Sequence, residues 1–118
     1  MALIPFRSGR VDDAATVAYA ATITPDGSLG SRFNITATGN ITTLNGPSSP
    51  PSDPYLAEYA ILASGATRTV TVASGVRTST GVTRGPYSVP SGQVLFVLMR
   101  YSALIAAYTL VAATISAT

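Results

Sequence analysis

The sequence contains no cysteine, no histidine, no lysine and no tryptophan. Each absence removes a class of chemistry. Without cysteine or histidine there is no disulfide framework, thiol nucleophile, imidazole base, haem thiolate or nitrogen/sulfur zinc site. Ser-His-Asp, Ser-Lys and Cys-His arrangements all fail on composition. No catalytic residue is expected, and neither a cofactor nor a metal. Lack of cysteine leaves the redox compartment open, since such chains are tolerated in either. Charge is scarce too, at 10% of 118 residues against about 25% in typical soluble proteins. The acids are Asp12, Asp13, Asp26, Asp53 and Glu58, and the seven bases are all arginine. An isoelectric point near 9.3 rests on a net charge of only +2. It reports few buffering residues and not a nucleic-acid footprint, so no direct nucleic-acid partner is expected.

What is present must bury itself. Hydrophobic residues make up 47% of the chain and mean hydropathy is +0.37, which argues against intrinsic disorder. The length suits one domain. The first residues, MALIPFRSGRVDD, have no basic region ahead of a sufficient apolar run, so no signal peptide is expected. Residues 94–113 are long and apolar enough to span a bilayer as a helix. Arg100 sits near the centre of that stretch, where insertion costs about 2.5 to 3.5 kcal/mol. Tyr101 and Tyr108 lie inside it, and no basic residue follows. The stretch divides instead into two β-favouring runs, 93–100 and 105–114, about Tyr101-Ser102-Ala103, and no membrane partner is expected.

From residue 16 onward, short runs rich in Thr, Val and Ile alternate with Gly- and Pro-containing turns, the pattern of an all-β domain. Strands are expected at 16–24, 32–38, 41–44, 55–63 and 67–73, with weaker ones at 76–80 and 82–89. In 32–38, Phe33, Ile35 and Ala37 alternate with polar residues, as in a strand with one wet face. The prolines Pro47, Pro50, Pro51 and Pro54 make 45–54 a loop. The runs 55–63 and 67–73, joined at Ser64-Gly65-Ala66, form the clearest expected hairpin. The last two runs are continuously apolar, which suits strands covered on both faces, by the opposite sheet and by another subunit. About eight strands at this spacing favour a two-sheet β-sandwich or jelly-roll-like domain, residues 16–118. Residues 1–15 show neither period and are expected to be an extended arm. Its tip would dock on a partner, with Leu3, Ile4 and Phe6 as apolar anchors and Arg7 and Arg10 as polar clamps.

The run RFNITATGNITTLNGP from Arg32, the proline-rich connection, ATRTVTVASGV and the closing pair of apolar strands together resemble the β-domain of tailed-bacteriophage structural proteins. The nearest form is the small head decoration, or capsid cement, protein of phages of actinobacteria, and a related domain occurs in their minor tail proteins. The resemblance spans about residues 20 to 114 and rests on strand and turn patterns, not on active-site signatures. It implies a β-sandwich protomer, a homotrimer on the outer capsid surface of the virion, and the major capsid protein as partner. Two departures from the pattern are a missing polar Gly-Gln step in 45–54 and a last strand without Trp. Both head and tail locations stay open.

Several single features have a sharp and a plain reading. Asp12-Asp13 lacks the oxygen-rich loop that calcium needs and fits a solvated pair. Asp53 and Glu58 have no spacing that sets a glycosidase pair, and Asp53 fits the turn before Pro54. Asn34-Ile35-Thr36 and Asn40-Ile41-Thr42 match the glycosylation pattern without a secretory signal. The six tyrosines suit a core and interface role better than a sugar platform, the platform being the basis of an alternative reading as a host-adhesion component. Arginine without lysine suits planar contacts to carboxylates or main-chain carbonyls on a partner, and GC-rich coding would produce the same bias.

Overall fold

A computed structural model describes residues 14–50 and 54–116. Its strands are β1 (Ala14–Val17), β2 (Thr22–Ile23), β3 (Arg32–Ala37), β4 (Ile41–Leu44), β5 (Tyr55–Ala63), β6 (Arg68–Val72), β7 (Arg77–Thr78), β8 (Tyr87–Val89), β9 (Val94–Ser102) and β10 (Ala107–Ile115). One short 3-10 turn, Gly27–Leu29, is the only helical segment among the described residues. The domain is therefore all-β. It has a six-stranded sheet in the order β1-β3-β5-β9-β10-β7 and a four-stranded sheet in the order β2-β4-β6-β8.

The first six strands alternate between the sheets. As a result β1, β3 and β5 lie parallel in the larger sheet, while β2, β4 and β6 lie parallel in the smaller. Side-chain period explains why each run can serve this way. In β5 the residues Tyr55, Ala57, Tyr59, Ile61 and Ala63 are buried, while Leu56, Glu58 and Leu62 point outward. β3 does the same with Phe33, Ile35 and Ala37. The inward residues of both sheets form one cluster, with Ile23, Ile41, Leu44, Val70, Val72 and Val89 contributed by the smaller sheet. Phe33 and Tyr59 meet in it with ring centroids 5.7 Å apart. Among the described residues no polar or charged residue is fully buried, so the core carries no desolvated charge.

Two expectations are corrected. First, β5 and β6 do not form a hairpin, because both edges of β5 are taken. β3 lies parallel along one edge, from Arg32 opposite Glu58 to Ala37 opposite Ala63. β9 lies antiparallel along the other, from Tyr55 opposite Tyr101 to Leu62 opposite Val94. The chain after Ala63 must cross to the other sheet, where β6 fits between β4 and β8. Gly65, at φ 83°, makes the bend, and the Arg68 guanidinium donates to the Ser64 carbonyl from Nε at 2.9 Å and from Nη2 at 2.8 Å. Second, 16–24 is not one strand. Its ends pair in different sheets, and the Tyr19 hydroxyl pins the corner by donating to the Asn40 carbonyl at 2.8 Å. The C-terminal runs are covered on one face by this chain, the other being the face expected to meet another subunit. In β9, Leu95, Val97 and Met99 are buried, but Phe96 is 41% exposed.

The split of 94–113 into two strands holds. β9 and β10 pair antiparallel, with a register shift between Leu110 and Ala112 that leaves Val111 as the extra residue of a bulge. Among the described residues no helix is long and apolar enough to cross a membrane. The weaker runs shrink to Arg77–Thr78 and Tyr87–Val89. Arm residues Leu3, Ile4, Phe6, Arg7 and Arg10, with Asp12-Asp13 and Asp53, lie outside the described residues, and Ala14 and Ala15 open β1.

Packing sets a clear contrast between neighbouring positions. Ile61 is 1% exposed at the centre of β5, so Ile61→Ala should cost about 2 to 5 kcal/mol in urea unfolding. Thr36→Ala, on the wet face of β3, should stay within about 0.5 kcal/mol of wild type. Equal losses at both positions would contradict this register.

Candidate interaction surface

One end of the domain is built by tyrosines that hold loop backbone in place. The Tyr59 hydroxyl donates to the Asn45 carbonyl at 2.7 Å, Tyr55 to Gly30 at 2.6 Å and Tyr108 to Pro47 at 2.6 Å. Tyr108 also stands 5.2 Å from Tyr101 and 6.5 Å from Tyr55 by ring centroids. Gly46 is required there because a Cβ would fall inside the Tyr108 ring. Burial pushes the phenols of Tyr55, Tyr59 and Tyr108 above the ordinary tyrosine range. For Tyr55 the Asp26 carboxylate adds to burial; for Tyr59 the Tyr108 and Tyr55 phenols add, and for Tyr108 those of Tyr55 and Tyr101. The hydroxyls of Tyr55, Tyr59 and Tyr108 are thus engaged internally.

The loops so fixed are continuous with each other. The Gly27 amide donates to the Ser48 carbonyl at 2.7 Å, and the Ser48 amide to the Pro25 carbonyl at 2.8 Å. Asp26 caps the 3-10 turn by accepting from the Ser28 amide at 2.9 Å and the Ser28 hydroxyl at 2.7 Å. Those two bonds, the hydroxyl's first, hold its carboxyl below the usual aspartate range. At this same end the β9–β10 connection carries Ala103-Leu104-Ile105-Ala106, with Leu104 91% exposed. Ala106 has φ 50°, the left-handed region that costs a non-glycine residue about 1 kcal/mol. Leu29, the last residue of the 3-10 turn, is 63% exposed.

A second apolar area lies on part of the outward face of the larger sheet, bordered by Arg100, which pairs opposite Leu56. Leu56 and Leu62 of β5, Phe96 of β9 and Val111 of β10 are exposed, and Leu98 lies among them half-buried. A shallow depression runs between Glu58, Phe96 and Leu98, floored in part by the small Ala112. The adjoining β3 positions are Arg32, Asn34 and Thr36, so the apolar area stops where β3 begins. Arg32 Nε lies 3.6 Å from Glu58 Oε1 across that boundary. Both side chains are half exposed, which holds the pair to about 0 to 1 kcal/mol.

Of the sequence's candidates, Glu58 is thus half of an ion pair, and its imagined partner Asp53 lies outside the described residues. Asn40 serves the fold: its side-chain oxygen accepts from the Thr69 amide at 3.0 Å. Among the described residues no group of three His, Cys, Asp or Glu side chains could hold a metal. Sequence reasoning missed the apolar hairpin tip, although ALIA in place of the usual Asn or Gly was its visible signal. No protein-family model matches the chain, and neither a curated protein nor a solved structure shows significant similarity to it.

The buried phenols give a pH test. Unfolded tyrosine ionises near pH 10, and the folded chain holds these protons to higher pH. Stability is therefore complete below about pH 10 and falls as pH rises beyond it. Phenolate absorbance from Tyr55, Tyr59 and Tyr108 should emerge together with loss of the β-sheet circular dichroism signal. Ionisation of all six tyrosines before unfolding would contradict the packing. Asp26 has the opposite sign: its cap is intact above the ordinary aspartate range and is lost as pH falls through its lowered value. The Ser28 amide resonance should report that midpoint.

Proposed function

We propose that this chain is a non-catalytic structural protein that works inside a larger assembly. Specifically, it is a homotrimeric β-sandwich decoration protein that binds the major capsid protein on the outer surface of a tailed-phage head and stabilises the shell. The observation that carries the self-association is the apolar outer face formed by Leu56, Leu62, Phe96, Leu98 and Val111. A face of this kind is costly to leave in water beside so few charges, and a second subunit covers it. The two sheets, sharing one core, suit the sandwich form of the fold. The strand and turn resemblance supplies the phage setting, and the arm residues Leu3, Ile4, Phe6, Arg7 and Arg10 supply reach toward a neighbouring subunit.

Light scattering after size exclusion tests the self-association. The wild-type chain should run at three times its 12.0 kDa mass, and Phe96→Asp, at an exposed position, should give a folded monomer. A wild-type monomer at micromolar concentration would remove the trimer from the proposal. Quantitative mass spectrometry of purified virions tests the location. About one copy per capsid subunit is the expected ratio, whereas a few copies per particle would replace the head assignment with the tail or host-adhesion reading.

A further inference from the structure

We infer that the open edge of β10 is completed by a strand from a neighbouring copy, its residues 6–11, so that subunits join head to tail. This inference rests on the reading of the chain as a self-associating protein and names the segment and the edge that join. Three observations carry it. The first is an uncovered sheet edge. β7 pairs with β10 only at Thr109 and Leu110, and after the Ser79 amide has donated to the Leu110 carbonyl no strand lies along the side of β10 away from β9 among the described residues. The Ser116 amide donates to the Val94 carbonyl of β9, so by the alternation of an antiparallel ladder the amides of Ala113 and Ile115 point to the open side. Residues 111–115 hold neither proline nor charge to blunt that edge, and such an edge takes an extended backbone.

Room beside the edge is the second observation. A groove of about 360 Å³ lies there, with Val82, Thr83 and Tyr87 on one side and residues 111–114 on the other. The third is the placement of the remaining chain. Of the stretches outside the described residues, 1–13, 51–53 and 117–118, only the first is long enough to match 111–115. Its residues 6–11 follow Pro5 and contain no proline, so each keeps a backbone donor. They lead into β1, at the opposite edge of the same sheet from the β10 side. Val11 stands three residues before Ala14, a reach of about 10 Å, whereas four strand spacings, about 19 Å, separate β1 from β10. A chain therefore cannot lay 6–11 along its own β10. A neighbour set edge to edge can, and repetition of that contact closes a ring. Val111 belongs both to this edge and to the apolar outer face, so one neighbour shields the two together.

The test is amide hydrogen exchange on the full chain. In wild type, Ala113 and Ile115 should exchange about tenfold or more slowly than in the double variant Ser8→Pro with Gly9→Pro, which removes two adjacent donors and blocks the ladder in any register. Ala112 and Thr114, whose amides face β9, should be equally slow in both and show that the domain stays folded. Ala113→Pro removes a donor on the open side alone, and should lower the mass by light scattering with unchanged circular dichroism. Isotope-labelled double-variant chains keep the edge, and unlabelled Ala113→Pro chains keep the segment. Mixing the two should restore slow exchange at Ala113 and Ile115 of the labelled chains, and no restoration would overturn the crossing between copies. Slow exchange retained in the unmixed double variant would overturn residues 6–11 as the added strand. Fast exchange at Ala113 and Ile115 in a wild-type trimer would overturn the edge and leave the trimer reading standing. A wild-type monomer would overturn both.

Discussion

The double occupancy of β5 is the constraint from which the architecture follows. With β3 hydrogen-bonded along one edge and β9 along the other, this strand cannot accept the one that follows it in sequence. The chain is sent across the core, and β6 joins β4 in the second sheet. The same strand provides Tyr55, Ala57, Tyr59, Ile61 and Ala63 to the interior while holding Leu56 and Leu62 outward. One alternating nonapeptide thus fixes the sheet order, the centre of the core and the middle of the apolar outer face.

Tyrosine links this interior to the loop end of the domain. Each of Tyr55, Tyr59 and Tyr108 keeps its ring against apolar neighbours and places its hydroxyl on a loop carbonyl, which satisfies backbone that would otherwise lie unpaired near the core. Loops without regular structure are made stiff in this way.

Strand positions were legible where alternation or turn residues were strong. The limits of β4 and β5 coincide with the expected runs, and β3 ends one residue early at Ala37. Strand pairing was not legible, because alternation says which residues face inward but not which sheet a strand enters. Ser64-Gly65-Ala66 is as good a hairpin turn as it is a crossover, and only the prior claim of β3 and β9 on β5 decides between them. The apolar C-terminal runs were legible as hydrophobic but not as to which residue faces which way. Leu, Val and Phe at successive positions look like a strand buried on both sides, whereas the single chain covers only Leu95, Val97 and Met99. The surplus apolar residues belong to the outer face, where sequence alone shows hydrophobicity but not its direction.

The order in which the strands are made has a consequence for biosynthesis. The free edge of β5 is closed only by β9, which is translated some thirty residues later. Throughout that interval a nascent chain presents a nine-residue edge lined with Leu56 and Leu62 and unpaired amides. Such an edge is a template for pairing with other chains, and a sheet that closes by distant partners folds slowly. Synthesis of many neighbouring copies on one message would bring these edges together, so the speed with which the β9–β10 pair folds back governs how much of the protein escapes aggregation.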